Sequence, residues 1–512
     1  MSLIKFFTHR RRSIFTAGTD AVRADTWRPA VELWPAAAWS LTAAAALSMT
    51  LTAMTPPVPA LPMGLAAGVL GTLRLRSALG VLKDRAALAG SALELISSRS
   101  FARRLLRARR DMAGKGNKET FAPVWFGRGF DWGPEHAQKL YELSKIDVNR
   151  LLPARALCKL LTGTEPKDPR TVGLSAIDGL ESHKTDIWVS EKTLEGGTLI
   201  VGTTQAGKGV LLTSLVTQAI LRGEAVIVID PKMSSRLQNA VTAAAKLARR
   251  SPPLFFHPNH PEGLRINPLT HFERPSEIAS RITAVMSDSG PFTSFAWSAV
   301  NVVVDLLIHV GQTPSIAAIE SILTGDFEDL LLEAAELDCG EDYFDMLVSE
   351  AKVKGKKGRE GVLDVLERAR AEERLSEATL KGASTYAHDP VHFAKITASL
   401  MPVLAMLTSG ALRQTLSPRD DDPLAMSLSE IIAQRKILYV CLNSLPDPTV
   451  AGAIGSMLLA DLASCAGERY NNTSISRNTV SLFVDECSNV AYKFSKNQVF
   501  PVVWAKLKDG IF

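Results

Sequence analysis

The 512-residue chain has only five cysteines, Cys158, Cys339, Cys441, Cys465 and Cys487, and no two of them share a CxxC or other ligand spacing. That scatter indicates neither a disulfide framework nor a cysteine zinc site, and it fits a reducing compartment. The nine histidines contain no HExxH pair, and His257 and His260 fall in FFHPNHPEG, a stretch with turn chemistry. A basic excess over the body of the chain is also missing. Residues 1–118 hold 18 Lys plus Arg against 6 Asp plus Glu, a net of +12; since the whole chain carries +5, residues 119–512 carry −7. Any nucleic-acid contact made by the body must therefore be local. No internal repeat occurs. With 46% hydrophobic and 22% charged residues the composition is that of packed domains, two or three at this length.

The basic excess flanks apolar segments, which membrane topology and anionic lipid explain before DNA does. From Trp34 to Met54 the chain runs 21 residues without a charge, enough to cross a hydrocarbon core of about 30 Å as a helix. It is too long for a cleaved signal peptide, and no small-residue cleavage site stands out. A second run, Val58 to Leu73, has 16 residues and contains Pro59 and Pro62, so it is marginal alone. With Thr55-Pro56-Pro57 as a turn, the two predict a transmembrane helical hairpin over 34–54 and 58–73 within a membrane anchor, 1–112. Lys5 and Arg10 to Arg12 precede it, and Arg74, Arg76, Lys83 and Arg85 follow, so both termini are expected in the cytoplasm. The basic stretch Arg99 to Arg110 reads as an amphipathic helix on the inner membrane surface.

Between Leu194 and Asp230 the pattern runs strand (TLIVG), glycine-containing loop, apolar helix, strand (AVIVID), a βαβ unit of a parallel sheet. From about Ser276 to Glu430 helical periodicity replaces strand signals, and the strand signal returns in KILYVCLNSLP and TVSLFVDE. The expected fold is therefore α/β: a nucleotide-binding domain in two parts, 119–275 and 431–512, split by an all-helical insertion, 276–430.

The chemistry rests on Gly202-Thr203-Thr204-Gln205-Ala206-Gly207-Lys208-Gly209, a GxxxxGK expected to leave a buried strand and open a helix at Val210. In such a loop backbone N–H groups converge on phosphate oxygens, the helix dipole assists, and Lys208 reaches the terminal phosphates of ATP. Downstream, the apolar strand Val480 to Val484 ends in Asp485-Glu486. There Asp485 would hold Mg²⁺ through water and Glu486 would polarise the attacking water, the two carboxylate roles of phosphoryl transfer. The alternative is a strand ending in solvated acids. One position dissents: after the lysine such loops carry Ser or Thr as a Mg²⁺ ligand, and here Gly209 stands instead, which also weakens the first helical turn.

Taken together, PVWFGRGFDWGPEHAQ, LEGGTLIVGTTQAGKG, Val228-Ile229-Asp230-Pro231-Lys232, Phe295-Ala296-Trp297 with Val300-Asn301, and SLFVDEC resemble the TraD-type conjugative coupling proteins of integrative conjugative elements. The resemblance covers roughly residues 30 to 490, with hairpin, phosphate loop, strand end, helical insertion and acidic strand in the family's order. It implies an inner-membrane, RecA-like ATPase forming a homo-hexameric ring, which receives a relaxase with its bound single-stranded DNA and passes it to a type IV secretion channel. Lys208, Asp485 and Glu486 fall on the family's Walker positions. Gly209 and Met233, where the family has glycine, depart from it. The tail KNQVFPVVWAKLKDGIF does not resemble the family's further sensor strand, so the resemblance implies a shortened core with a gap beside the acidic strand unless KILYVCLN fills it. Two other classes stay open, a membrane-anchored nucleotide-binding adaptor without productive hydrolysis and an FtsK-like DNA translocase. The basic loop Lys352 to Arg359 is the best local candidate for a DNA or relaxase contact, against a loop that is merely solvated.

Overall fold

The computed structural model describes residues 27–487, 490 and 504–507, apart from 28, 53–56, 93–97, 114–123, 169–173, 182–183, 195, 203–206, 261, 287–290, 390, 392, 394–396 and 473–477. Two compact units emerge. One comprises the chain up to residue 97 with 127–187; the other comprises 98–126, 188–202 and 207 onward.

In the first unit, α1 (Leu33–Leu51) and α2 (Pro57–Ala87) pack along each other. Small residues make the approach possible: a Cβ on Gly64 would lie 3.2 Å from Ala46 Cβ, and one on Gly71 would lie 3.0 Å from Ser40 Oγ. The outer faces are apolar and exposed, Leu41 at 71%, Leu51 at 79%, Met63 at 67% and Leu65 at 68%. The short second run of the sequence is thus part of a 31-residue helix. Pro57 and Pro59 sit in its first turn, where no intrahelical N–H bond is lost, and Arg74 and Arg76 end the apolar run without ending the helix. Among the described residues two helices are long and apolar enough to cross a membrane, Ala60–Ala87 and Pro448–Asn471, the second 67% buried within the protein; the expected first span, α1, is not one of them. Below α2, Trp27, Leu88, Leu143, Leu151, Ala176 and Leu180 form a small core. Gly179 abuts the end of α2 so closely that a Cβ there would lie 2.1 Å from Ala87 O.

The second unit is a three-layer mixed helix-and-sheet body. Its five-stranded sheet has the order β4 (Leu254–Phe256), β5 (Ile437–Cys441), β3 (Ala225–Asp230), β6 (Val480–Val484), β7 (Trp504–Leu507). The first four are parallel, and β7 runs antiparallel to β6. The earlier strands β1 (Val124–Gly129) and β2 (Thr185–Val189) pair separately. Both faces of the large sheet are covered, which is why its central strands read as unbroken apolar runs. Val226, Val228, Ile437, Tyr439 and Phe483 face α4 (Lys208–Arg222) and α5 (Ser235–Leu247). Ile227, Ile229, Leu438, Val440, Leu482 and Val484 face the helical layer, which includes α6 (Pro275–Ala284), α7 (Pro291–His309) and α8 (Pro448–Asn471). Among the described residues no strand lies between β4 and β5.

The basic helix α3 (Ser98–Ala113) is amphipathic, as its sequence reads. It packs on α5, Phe101 is 7% exposed with its ring 5.6 Å from that of Trp125, and Arg104 lies 5.0 Å over the same indole.

Candidate functional site

The carboxyl edge of the sheet gathers the chemistry. Ile229 pairs with Val484, so Asp230 and Asp485 emerge side by side, and Asp485 N donates to Ile229 O at 3.0 Å. The helix α4 joins β3 through Gly223 and Glu224 and packs on β3 and β6. At 15 residues it spans about 22 Å, against about 20 Å for the six-residue β3, so its first residue, Lys208, returns to the same edge. Gly207 enters the helix at φ +94°, a left-handed conformation that favours glycine. Lys208 Nζ donates to Gly202 O at 2.5 Å, drawing the two ends of the loop together. Gly209 and Val210 are exposed at the helix start, and among the described residues a Cβ added to Gly209 would meet nothing within 4 Å beyond its own helix. Thr203, Thr204, Gln205 and Ala206 lie outside the described residues.

The segment before the loop is not the buried strand its sequence suggests. Leu199 to Gly202 have no regular secondary structure, and Leu199 and Val201 are 52% and 81% exposed. The edge of β6 is occupied instead by β7, drawn from the tail. The segment KILYVCLN does not fill a gap beside β6 either. It forms β5 on the opposite side of β3.

Asp230 is fully buried and its carboxylate is satisfied: Oδ1 accepts from Lys232 N at 2.9 Å, and Oδ2 accepts from Ser234 N at 2.6 Å and from the Tyr439 hydroxyl. Burial first, then this hydrogen bond to a carboxylate, pushes the Tyr439 phenol far above its ordinary range. The tight turn places Met233 at φ +59°, a conformation that costs a residue with a Cβ on the order of 1 kcal/mol. That is the position where the resembling family has glycine. Asp485 is half-buried, and its carboxyl is pushed up by burial and then by the negative charges of Asp230 and Glu486. Glu486, at φ +45°, accepts a 2.6 Å hydrogen bond from Lys232 Nζ.

Neither a protein-family model nor a curated protein matches the chain.

Sequence reasoning missed Tyr439. A tyrosine inside a wholly apolar strand needs a partner for its hydroxyl when buried, and that was the available signal. It also missed a buried cluster in the helical layer. Ligand atoms of His271, Asp461 and Cys465 lie within 4.8 Å of one another, a grouping that could hold a metal ion. Its charge is already balanced. Arg281 Nη1 donates to Asp461 Oδ1 at 3.1 Å, as does His271 N at 3.0 Å, and burial holds the Cys465 thiol far above its ordinary range. His271 Nε2 meets Ser429 Oγ at 2.8 Å while Nδ1 faces Asp461 at 3.2 Å, the order of a nucleophile, base and acid relay. Arg281 cancels the negative charge such a relay depends on. The cluster is a joint that ties α6, α8 and the helix Leu428–Ala433 together. In the basic loop, Lys356 pairs with Asp364 at 2.6 Å and Arg359 donates to Tyr386 O and His388 O, while Lys352, Lys354 and Lys357 are exposed.

Proposed function

We propose that the chain is a membrane-anchored P-loop ATPase of the conjugative coupling class, with a RecA-like nucleotide core, delivering relaxase-bound single-stranded DNA to a type IV secretion channel. The observation that carries this reading is the convergence of the GxxxxGK helix start and the Asp485-Glu486 strand end at one sheet edge. The residues fit ATP with Mg²⁺: a left-handed glycine opens the helix, Gly209 is exposed at its start, and two carboxylates stand at the same edge. Bound Mg²⁺ would neutralise phosphate charge. Lys208 would exchange Gly202 O for the terminal phosphates, Asp485 would hold the metal through water, and Glu486 would orient and deprotonate the attacking water. The apolar outer faces of α1 and α2 suit lipid, so α1 and α2 are read as an inner-membrane hairpin with both termini cytoplasmic. Assembly into a homo-hexamer belongs to the same proposal.

A second reading, a nucleotide-binding adaptor without productive hydrolysis, is favoured by Gly209, which supplies no hydroxyl for the metal. One experiment bears on both. Binding of a non-hydrolysable ATP analogue to the detergent-solubilised full chain should fall at least tenfold in Lys208→Ala; unchanged affinity would sink the nucleotide reading. Steady-state turnover with single-stranded DNA then separates motor from adaptor.

A further inference from the structure

The turn after β3 aims a lysine at the proposed water-activating group. Asp230 fixes that turn by accepting from Lys232 N and Ser234 N, and Lys232 reaches across to Glu486, Nζ to Oε1 2.6 Å. Backbone on both sides of the contact is in the left-handed region, Met233 beside Lys232 and Glu486 itself. Side-chain-bearing residues persist there only when surrounding contacts hold them. The hydrogen bond it donates to Glu486 holds the Lys232 ammonium above its ordinary range, with the charges of Glu486, Asp485 and Asp230 adding to it.

A carboxylate engaged by an ammonium is tied to it, because the bond occupies a lone pair that an attacking water would otherwise use. A lysine is also a flexible point charge that can change partners. A terminal phosphate at the start of α4 would bring concentrated negative charge to the same edge. We propose that Lys232 is a positioning residue for Glu486: it holds the carboxylate while the site is empty and transfers to the phosphate of a bound nucleotide, so Glu486 is free to orient water only once substrate is in place. The inference rests on the nucleotide reading of the loop.

Trace acetylation of the full chain, read by mass spectrometry at Lys232 and Lys208, tests both. Wild type and Glu486→Gln are compared with and without a non-hydrolysable ATP analogue and Mg²⁺. Without nucleotide, Glu486→Gln should raise Lys232 labelling several-fold, up to about tenfold for each pKa unit the ammonium loses. With nucleotide, Lys208 should be protected in both proteins and the difference at Lys232 should vanish. Lys232 labelling indifferent to Glu486→Gln in the empty protein would overturn the pairing. A difference that persists while Lys208 is protected would overturn the transfer alone. Failure of the analogue to protect Lys208 in wild type would overturn the loop reading, and the transfer with it.

Discussion

Removing Asp461 should destabilise the second unit more than any single surface change. Asp461 is 0% exposed and Arg281 6%. Asp461→Ala strands the guanidinium, which keeps Pro268 O at 3.1 Å, Ser464 Oγ at 2.6 Å and His271 O as neutral partners but loses its anion. Breaking a buried pair by deleting one member costs about 3–5 kcal/mol, since the survivor is an uncompensated buried charge. The unit holds roughly 350 residues, so at about 2.1 cal/mol/K per residue its unfolding entropy is about 0.7 kcal/mol/K, and the melting temperature should fall by about 4–7 °C. The assay is thermal unfolding of the detergent-solubilised chain followed by tryptophan fluorescence. Arg281→Ala should lose a similar amount, and the double variant should lose clearly less than the two added together, a coupling of about 2–3 kcal/mol. Strict additivity, or a wild-type melting temperature for Asp461→Ala, would refute the claim that this cluster is a charge-balanced joint.

Gly209→Thr should be accommodated sterically, gain a few tenths of a kcal/mol in helix propensity, and tighten Mg²⁺-dependent analogue binding on the order of tenfold, about 1.4 kcal/mol, measured by titration calorimetry. Met233→Gly should leave stability within about 0.5 kcal/mol of wild type or raise it, while Met233→Ile should lose more than about 1 kcal/mol, because a β-branched side chain suits φ +59° worst; denaturant midpoints decide. Burial pushes the Asp338 carboxyl up, but hydrogen bonds from Thr379, Ser376 and His309 outweigh it and hold the group below its ordinary range. Its contribution to stability is therefore fully present above the unfolded-state value of about 3.9 and is lost as pH falls below it, so Asp338→Asn should flatten the decline in melting temperature between about pH 4 and pH 2.5.

Legibility in the sequence followed burial. The wholly buried strands β3, β5 and β6 and the helices α6 and α7 announced themselves through apolar runs and helical periodicity, because packing on both faces or along one stripe constrains every residue. The segment Thr198 to Gly202 carried the same apolar letters but lacks a ladder: β6 has one free edge, the tail took it, and no local feature of TLIVG encodes that competition. The length of α2 was hidden because hydropathy measures where an apolar run stops, whereas Arg74, Arg76 and Lys83 are good helix formers that carry the helix on to Ala87. The positions of Lys208 at the start of α4 and of Asp485 and Glu486 at the end of β6 were legible from motif and strand pattern. The Tyr439–Asp230 bond and the Lys232–Glu486 pair were not, since each joins residues more than 200 positions apart.

That separation governs how the chain must be made. β3 is synthesised with neither neighbour: its partners β5 and β6 begin roughly 200 residues later, and at about 5–20 residues per second the ribosome needs about 10–40 s to deliver the first of them. Throughout that interval Ala225 to Asp230 present two open edges and two apolar faces, with α4 and α5 able to cover only one face. The helical segments that emerge meanwhile fill the waiting time with local contacts, and the sheet closes last around a strand that was made first.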